Sequence, residues 1–314
     1  MSPEDPRDET VVITGAFSYT GRYTTRLLLE RGYKTRTLTF HPDRKNEFGP
    51  KVEVFPYNFE APEKLECSLL GASCLINTYW IRFPQGDSTF DLAVKNTITL
   101  INAAKNAGVK RIVHVSIANP SIDSPLDYYR GKAQLEQAVI NSGLSYSILR
   151  PTVIFGREDI LINNIAWFVR HFPVFGIPGD GRYGVRPIYV EDMAKLVVQA
   201  VERQSNEVTD AVGPETFTFE ELVRLIGVEV GKPIHILRVP TVLAYLSTKL
   251  TGLFVHDVVL TWQEYRGLTS NLLAPEGENA GETRLSEWLS QNREHVGRRY
   301  ASEIARHYYN LSHE

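Results

Sequence analysis

Thr10-Val11-Val12-Ile13-Thr14-Gly15-Ala16-Phe17-Ser18-Tyr19-Thr20-Gly21-Arg22 is the stretch that decides the fold of this chain. Its apolar run ends at a glycine-containing turn, and a helical pattern follows. Gly15 allows a tight turn, and Gly21 allows the helix to pack close to the strand. The backbone N–H groups and the positive helix end in such a turn can bind a pyrophosphate.

The glycine spacing is weak evidence when it is taken alone. Ser18 stands at the middle position, where a third glycine is common, and many glycine pairs after strands form only turns. The segment that follows strengthens the functional interpretation, because strand-like Tyr33–Phe40 comes at the distance that a βαβ crossover requires. The opening of the chain is therefore predicted to be a strand, a phosphate-binding turn and a helix.

Composition excludes several classes of protein. The 314 residues are 43% hydrophobic with a net charge of −3, which argues against a disordered chain and against a polybasic nucleic-acid surface. Cys67 and Cys74 predict neutral thiols, and the histidines form no metal-ligand pattern. Residues 1–9 are charged and predicted to be disordered. Because neither a signal peptide nor a membrane span is recognisable, a cytoplasmic location is expected.

Strand-like and helix-like segments alternate up to Pro151, which predicts an α/β fold with a doubly wound parallel sheet. Residues 10–155 are expected to form this domain. After it the rhythm changes, and residues 156–314 are predicted to form a smaller, mostly helical lobe with strands that return to the sheet. Gly176–Pro187 has the composition of a loop, and Thr218 with Glu221 predicts a capped helix. The predicted strands and helices of the first half are Val11–Ile13, Tyr33–Phe40, Val52–Tyr57, Ala61–Leu70, Cys74–Thr78, Asp91–Ala107, Lys110–Ser116, Tyr128–Ser142 and Ser145–Leu149.

A second set of candidate residues follows the fifth predicted strand. Ser116 ends that strand, and Tyr128-x-x-x-Lys132 begins the next helix. Positions i and i+4 share a helix face, so the lysine ammonium is expected to lie beside the phenol and lower its pKa. The serine hydroxyl can hydrogen-bond a substrate carbonyl or alcohol. The Tyr-x-x-x-Lys spacing is common by chance and becomes specific only in this order after a βαβ unit.

With these motifs the chain resembles the short-chain dehydrogenase/reductase superfamily in its extended and atypical branches, over roughly residues 10–231. Within it the sequence is most similar to the NmrA-like group and to the nucleotide-binding accessory subunit of complex I, with epimerase and dehydratase relatives. The resemblance implies a Rossmann-like domain over residues 10–155 and a C-terminal substrate lobe over residues 156–314. The motifs that carry it are Thr14–Gly21, Ser116 with Tyr128 and Lys132, Leu149–Gly156, Pro187–Ala194 and Gly213–Thr218.

The resemblance also implies roles for single residues. Tyr128 would be the acid/base, Lys132 would lower its pKa and anchor the nicotinamide ribose, and Ser116 would polarise the substrate. Asn96 would keep a water near the lysine. The residues that the resemblance assigns to the cofactor are Gly15, Phe17, Ser18, Tyr19, Thr20, Gly21, His41, Arg44, Asn58, Asn77, Thr78, Tyr79, Lys132, Pro151 and Val153.

The end of the second strand bears on the choice of cofactor. NAD specificity usually needs an acid there, but Thr39 and Phe40 are not acidic. Arg44 and Lys45 can reach a 2′-phosphate, which favours NADP, whereas Asp43 facing the ribose would favour NAD. An ordinary solvated loop is the competing interpretation of the same residues.

Two functions are consistent with the sequence. The first is an NAD(P)-dependent oxidoreductase, or an epimerase or dehydratase, acting on a small-molecule substrate. The second is a redox sensor or assembly protein that binds NAD(P)H without turnover, favoured by Ser18 in the turn and by Gly131, where extended members often have serine. A partly apolar substrate would suit Tyr79, Trp80 and Phe83, and Arg182 or Arg186 could face an anionic group. Both a monomer and a homodimer are compatible with the chain.

Overall fold

The structure is a computed structural model, and it describes residues 9–255 and 257–302. Of the predicted disordered N-terminus, residues 1–8 lie outside the described residues, as does the end of the predicted helical tail after residue 302. The chain divides into two compact units. The first comprises the described residues up to Pro151 together with Val190–Ala211, and the second comprises Thr152–Tyr189 together with the described residues from Val212 onward.

The first unit begins with a regular alternation of strands and helices. In chain order these elements are β1 (Thr10–Thr14), α1 (Tyr19–Glu30), β2 (Lys34–Thr39), β3 (Val52–Pro56), α2 (Pro62–Leu69), β4 (Ala72–Asn77), α3 (Phe90–Asn106), β5 (Arg111–Val115), α4 (Asp127–Ile140) and β6 (Ser145–Pro151).

The chain then leaves the first unit, returns to it, and leaves it again. Five elements of the second unit come next, namely β7 (Ile154–Phe155), α5 (Leu161–His171), β8 (Val174–Pro178), β9 (Gly184–Val185) and β10 (Ile188–Tyr189). The returning segment contains α6 (Val190–Glu202) and β11 (Glu207–Ala211). The remaining elements, all in the second unit, are β12 (Phe217–Thr218), α7 (Phe219–Glu229), β13 (His235–Val239), α8 (Thr241–Val255), α9 (Trp262–Thr269) and α10 (Leu285–Asn292).

The first unit is built on one seven-stranded sheet with the order β11-β6-β5-β4-β1-β2-β3, in which every neighbouring pair is parallel. This confirms the predicted doubly wound sheet. Helices α2, α3 and α4 cover the face that carries Val12, Leu75, Ile112 and Ile148, all of which are fully buried. Because all seven strands run in one direction, their carboxyl ends meet at one edge, where ligands bind in such sheets.

Strands that return to the sheet were expected after residue 155, and β11 is one, but Glu207–Ala211 was not identified as that strand because it contains no apolar run. It lies at the edge of the sheet and pairs only with β6. Its side chains therefore need not form the continuous apolar run that is typical of a strand in the middle of a parallel sheet. The buried guanidinium of Arg111 stabilises this edge, since its Nε donates to the Ala200 carbonyl at 2.7 Å and its Nη2 to the Ser205 carbonyl at 3.1 Å. The Arg111 side chain thus joins β5 to the end of α6 and to the segment that follows it.

The second unit contains three two-stranded sheets and a helical core. Strands β8 and β13 pair in parallel, so the loop predicted over Gly176–Pro187 is wrong in part: it contains the end of β8 and all of β9. The predicted capping box of α7 is confirmed, because Thr218 Oγ1 accepts from Glu221 N and Glu221 Oε2 accepts from Thr218 N.

The largest aromatic side chains of α5 are not in its buried face. Trp167 and Phe168 are half-buried, and Phe172 is 49% exposed. The buried positions of this helix belong to its smaller side chains, which pack against α7. They are Ile162, Ile165, Ala166 and Val169.

Three absences concern the described residues. Both cysteines are free, with Cys67 exposed and Cys74 buried. No group of described side chains has the composition of a metal site. None of the described helices is long and apolar enough to span a bilayer.

Candidate nucleotide-binding and active site

The turn after β1 depends on two glycines. Gly15 has φ +68°, and its N–H donates to the Leu38 carbonyl at 2.9 Å. A Cβ added at Gly21 would lie 2.0 Å from the Gly15 carbonyl oxygen, closer than any real side chain approaches. The first helix therefore contacts the turn backbone to backbone.

Ser18 caps the helix that follows this turn. Its hydroxyl accepts from Gly21 N at 3.3 Å, and its carbonyl accepts from Arg22 N at 2.9 Å. Serine at this position therefore has a structural reason, since it satisfies a helix-end donor that glycine would leave unpaired. Because the first turn of α1 contains no acidic residue, its positive end is not neutralised within the helix and favours an anion. Phe17, Tyr19 and Thr20, which the resemblance assigns to the cofactor, lie in this turn and first helical turn.

Buried threonines hold the turn in place, and the sequence analysis missed two of them. Thr14 Oγ1 accepts from Thr78 N at 2.7 Å and from Tyr79 N at 3.0 Å, while Thr78 Oγ1 donates to the Thr14 carbonyl. Thr37 Oγ1 accepts from Ala16 N at 3.0 Å and donates to the Ile13 carbonyl at 2.9 Å. These bonds join β1, β2 and β4 at their carboxyl ends. Thr14 ends β1, whereas Thr37 lies two positions before the end of β2, so only Thr14 occupies a position that the strand pattern marks.

Ser116 and Lys132 are both enclosed. Ser116 is 4% exposed, and its hydroxyl has no hydrogen-bond partner among the described residues. Lys132, on α4, is 3% exposed and its ammonium donates to the Val115 carbonyl at 2.9 Å. Burial lowers the pKa of Lys132 to about 7, and the Glu136 carboxylate opposes this effect more weakly.

The Trp80 indole covers this lysine. The Lys132 ammonium lies 4.8 Å from the centre of the ring, a cation–π distance. The same indole stacks on Phe90 at 5.8 Å and meets the Tyr128 ring edge to face at 5.7 Å. A Cβ at Gly131 would come within 2.8 Å of Trp80 Cη2. Gly131 in place of serine is therefore what lets the indole lie against α4.

Asn96 and His114 each form a hydrogen bond with a side chain at the carboxyl end of β4 or just beyond it. Asn96 Nδ2 donates to the Tyr79 hydroxyl at 3.1 Å. His114 was not among the predicted site residues, yet it lies two positions before Ser116 and is fully buried. Its Nδ1 accepts from Asn77 Nδ2 at 3.0 Å, and burial together with the Lys132 charge holds its pKa well below the usual value. Burial and the nearby Lys132 charge therefore favour the neutral imidazole.

The tips of β2, β3 and β4 carry aromatic and basic residues. Phe40 is 60% exposed and its ring lies 4.6 Å from Tyr57 and 6.0 Å from Tyr79. The chain then turns at His41, whose N–H donates to Thr39 Oγ1 and whose carbonyl accepts from Arg44 N. Neither Arg44 nor Lys45 forms an ion pair within the described part of the chain. Asn58 follows β3 with φ +44°, and its carbonyl accepts from Ala61 N.

The last predicted cofactor residues belong to different units. The Pro151 carbonyl accepts from Ala118 N at 2.9 Å within the first unit. Val153 belongs to the second unit, where its carbonyl accepts from Ile188 N. The guanidinium of Arg186 is occupied by the Gly213 and Gly277 carbonyls at 3.0 and 2.9 Å, so this arginine supports a loop of the second unit rather than facing an anion.

Comparisons with known proteins agree with this geometry. Residues 15–166 match the protein family described as NAD(P)H-binding. The chain is 26% identical over 226 residues to the mitochondrial NADH dehydrogenase (ubiquinone) 1 alpha subcomplex subunit 9 of Arabidopsis thaliana, covering 68% of this chain and 56% of that protein. It is 24% identical over 250 residues to the Photosystem II assembly factor Ycf39 of Cyanidium caldarium, covering 78% and 79% of the two chains.

Among solved structures, the fold is similar to that of Citrobacter sp. triphenylmethane reductase complexed with NADP(H). The TM-score is 0.74 at 17% identity, and the match covers 90% of this chain and 99% of that chain. An identity this low shows the fold alone.

Gly21→Ala tests the close contact between α1 and the turn. The added methyl group has no space beside the Gly15 carbonyl, so the free energy of unfolding is expected to fall by about 3 kcal/mol. Gly176→Ala is the matched control, because its nearest atom would lie 3.8 Å away. Urea denaturation measures both variants, and an equal, small effect would show that the turn can open without cost.

Lys132→Met tests the cost of the buried ammonium. Its pKa of about 7 lies below the unfolded value of 10.5, so the unfolded chain binds more protons between these values and stability rises with pH across this window. In the wild type we expect a gain of about 2 kcal/mol between pH 7 and pH 9. The substitution should remove this gain and raise stability at pH 7.

Exposed Lys95→Met is the control for this experiment, with urea denaturation of all three proteins at both pH values. If Lys132→Met and Lys95→Met retain the same pH dependence as the wild type, the ammonium is not buried as described.

Proposed function

We propose, on the premise that this chain carries an NAD(P)H-binding domain in an extended short-chain dehydrogenase/reductase-like fold, that it acts by binding the nucleotide rather than by turning it over. The observation that carries this proposal is the Trp80 indole over Lys132. A hydride-transfer site needs its lysine open to the nicotinamide ribose, whereas Lys132 is 3% exposed and its ammonium donates to a backbone carbonyl.

The phosphate-binding half supports the first part of the proposal. Gly15 and Gly21 have no side chains, so the backbone of the turn is accessible to a ligand. Ser18 caps the start of α1, and the first turn of this helix contains no acidic residue. Such a turn fits a pyrophosphate, so Gly15–Gly21 would hold this group and the strand tips beyond it would face the adenosine. When bound, the nicotinamide would supply a hydride-carrying ring, and the residues around Trp80 would decide whether a substrate reaches it.

The relatives support the second part. One is a subunit of an NADH dehydrogenase and another is a Photosystem II assembly factor by name. The first name describes a subunit of a larger complex and the second a factor for the assembly of one, and both settings suit a nucleotide-dependent binding or assembly protein. This chain covers 56% of the length of the first relative.

An oxidoreductase is the second candidate, and a specific observation favours it. The Ser116 hydroxyl is buried without a hydrogen-bond partner among the described residues. Ser116 directly follows Val115, whose carbonyl accepts from Lys132 Nζ. A buried unpaired hydroxyl costs free energy and is typical of a group that waits for a ligand. If the indole moved away, Ser116, Tyr128 and Lys132 would be available for carbonyl chemistry.

A turnover assay separates the two candidates. Purified protein is mixed with NADPH and a panel of carbonyl compounds and quinones, and NADPH absorbance is followed. We expect consumption no faster than in protein-free mixtures, because Lys132 is enclosed. Steady consumption that Tyr128→Phe abolishes and Tyr129→Phe preserves would contradict the proposal and establish the enzyme.

The preferred nucleotide is proposed to be NADP(H). The tip of β2 has no acid at Thr39 or Phe40, and both Arg44 and Lys45 lack ion-pair partners among the described residues. Two available cations beside a neutral strand end favour a 2′-phosphate. Asp43, which is exposed, is the residue that would favour NAD instead.

Titration with NADPH and NADH, followed by nicotinamide fluorescence, tests this preference. The wild type is expected to bind NADPH more tightly, and Arg44→Ala with Lys45→Ala to weaken NADPH binding about tenfold with little effect on NADH. Exposed Lys51→Ala controls for general charge. Tighter NADH binding that Asp43→Ala removes would assign the ribose to Asp43, and binding of neither nucleotide would overturn the proposed function.

A further inference from the structure

Helix α8 presents an apolar face that the described residues of the second unit leave exposed. Val242, Leu243 and Leu246 are 61%, 57% and 51% exposed, and their spacing puts them on one side of the helix. Ala244 is buried at 4% exposure, so the helix has an inner and an outer face. Three large aliphatic side chains in one turn are more than the scattered surface residues of an ordinary helix.

Aromatic residues extend this face onto α9. The Tyr245 ring lies 5.1 Å from the Trp262 ring, and Trp262 stacks on Tyr265 at 5.7 Å. Trp262 is 40% exposed, whereas Tyr265 is buried beneath it. Val242, Leu243, Leu246, Tyr245 and Trp262 together are called the apolar patch below.

Cations border the apolar patch. Lys249 Nζ lies 5.5 Å from the Tyr245 ring, and Arg266 Cζ lies 6.0 Å from the Trp262 ring. Long basic side chains that lie on aromatic rings can bury their stems in an apolar layer and keep the charge at its surface.

The charge of the surrounding segment has the same sign. Residues 232–266 contain four lysines and arginines and two acids, Asp257 and Glu264, in a chain whose net charge is −3. Asp257 is buried and accepts from the Tyr300 hydroxyl, so it does not contribute an exposed negative charge. Glu220 forms hydrogen-bonded ion pairs with both Arg238 and Arg224, so these three side chains together keep an excess positive charge.

The strands that lead into α8 add further exposed apolar area. Leu237 on β13 is 55% exposed and Val174 on the paired strand β8 is 49% exposed. Only Pro240 separates β13 from α8. The exposed apolar side chains therefore belong to one continuous part of the second unit.

From these observations we infer that the apolar patch docks on a membrane surface that contains anionic lipids. An apolar face with tryptophan and tyrosine at its margin and basic residues around it is typical of a helix that lies in the interface plane. The 15 residues of α8 are about 22 Å long, shorter than the hydrocarbon layer of about 30 Å, so the helix would lie on the bilayer rather than cross it. Lys249 and Arg266 would face the lipid phosphates.

Vesicle co-sedimentation of the full chain tests this inference. Vesicles of phosphatidylcholine are compared with vesicles that also contain phosphatidylserine. The wild type is expected to sediment with the anionic vesicles and less with the neutral ones. Leu243→Glu with Leu246→Glu should reduce this binding at least about tenfold, because the apolar area that enters the interface is lost. Lys249→Gln should reduce it about fivefold at low salt and less at high salt.

The matched control introduces two glutamates elsewhere. Ile122→Glu with Val228→Glu changes side chains that are 41% and 73% exposed outside the patch, and it should leave vesicle binding close to that of the wild type. NADPH affinity and circular dichroism of each variant establish that the protein is folded, so that failure of vesicle binding is separate from failure of nucleotide binding.

Three outcomes would overturn the inference. The first is a wild type that does not bind anionic vesicles. The second is vesicle binding that the patch variant and the control variant reduce equally. The third is a wild-type dimer that the patch variant converts to monomers with no vesicle binding by either, which would assign the patch to a second copy of the chain.

Discussion

The arrangement of the candidate site depends on the contact between the Trp80 indole and the backbone of α4 at Gly131. A single added carbon at Gly131 would come within 2.8 Å of the ring, so the contact exists only because this residue has no side chain. From this position the indole lies over the Lys132 ammonium and against the Tyr128 ring. Trp80 and Gly131 thus determine together whether the Lys132 ammonium and the Tyr128 ring are open or covered.

Covering the lysine has an electrostatic cost that the rest of the site accommodates. An ammonium removed from water favours its neutral form, which is why the Lys132 pKa falls to about 7. The Val115 carbonyl and the indole face compensate part of this cost, and the neighbouring His114 is held neutral by burial and by the Lys132 charge, with Asn77 bonded to its Nδ1. The phosphate-binding turn needs no such compensation, because it presents only backbone groups and a capped helix end. The phosphate-binding turn can therefore accept a nucleotide as it stands, whereas the surroundings of Lys132 would have to rearrange before the lysine could contact one.

The sequence was sufficient for the parts of the fold that local pattern determines. The glycine turn, the alternating strands and the capping box at Thr218 each follow from residues that are near one another in the chain. Strand β11 was missed because an edge strand needs no apolar run, and β8 because Gly176 and Pro178 resemble loop residues. The packing of Trp80 could not be predicted from the sequence, because it brings together residues 80, 90 and 131, which are far apart in the chain. Gly131 and Ser18 were recognised as departures from the family pattern, but only the structure gives their physical reasons.

The crystal structure of the chain with NADPH would test the central claim most directly. The account predicts the pyrophosphate at Gly15–Gly21, with the Trp80 indole still against Gly131 and Lys132 Nζ still bonded to the Val115 carbonyl. An indole turned away from Gly131, with the lysine bonded to the nicotinamide ribose and Ser116 and Tyr128 facing the nicotinamide ring, would contradict it. That result would identify the covered state as the resting form of an oxidoreductase.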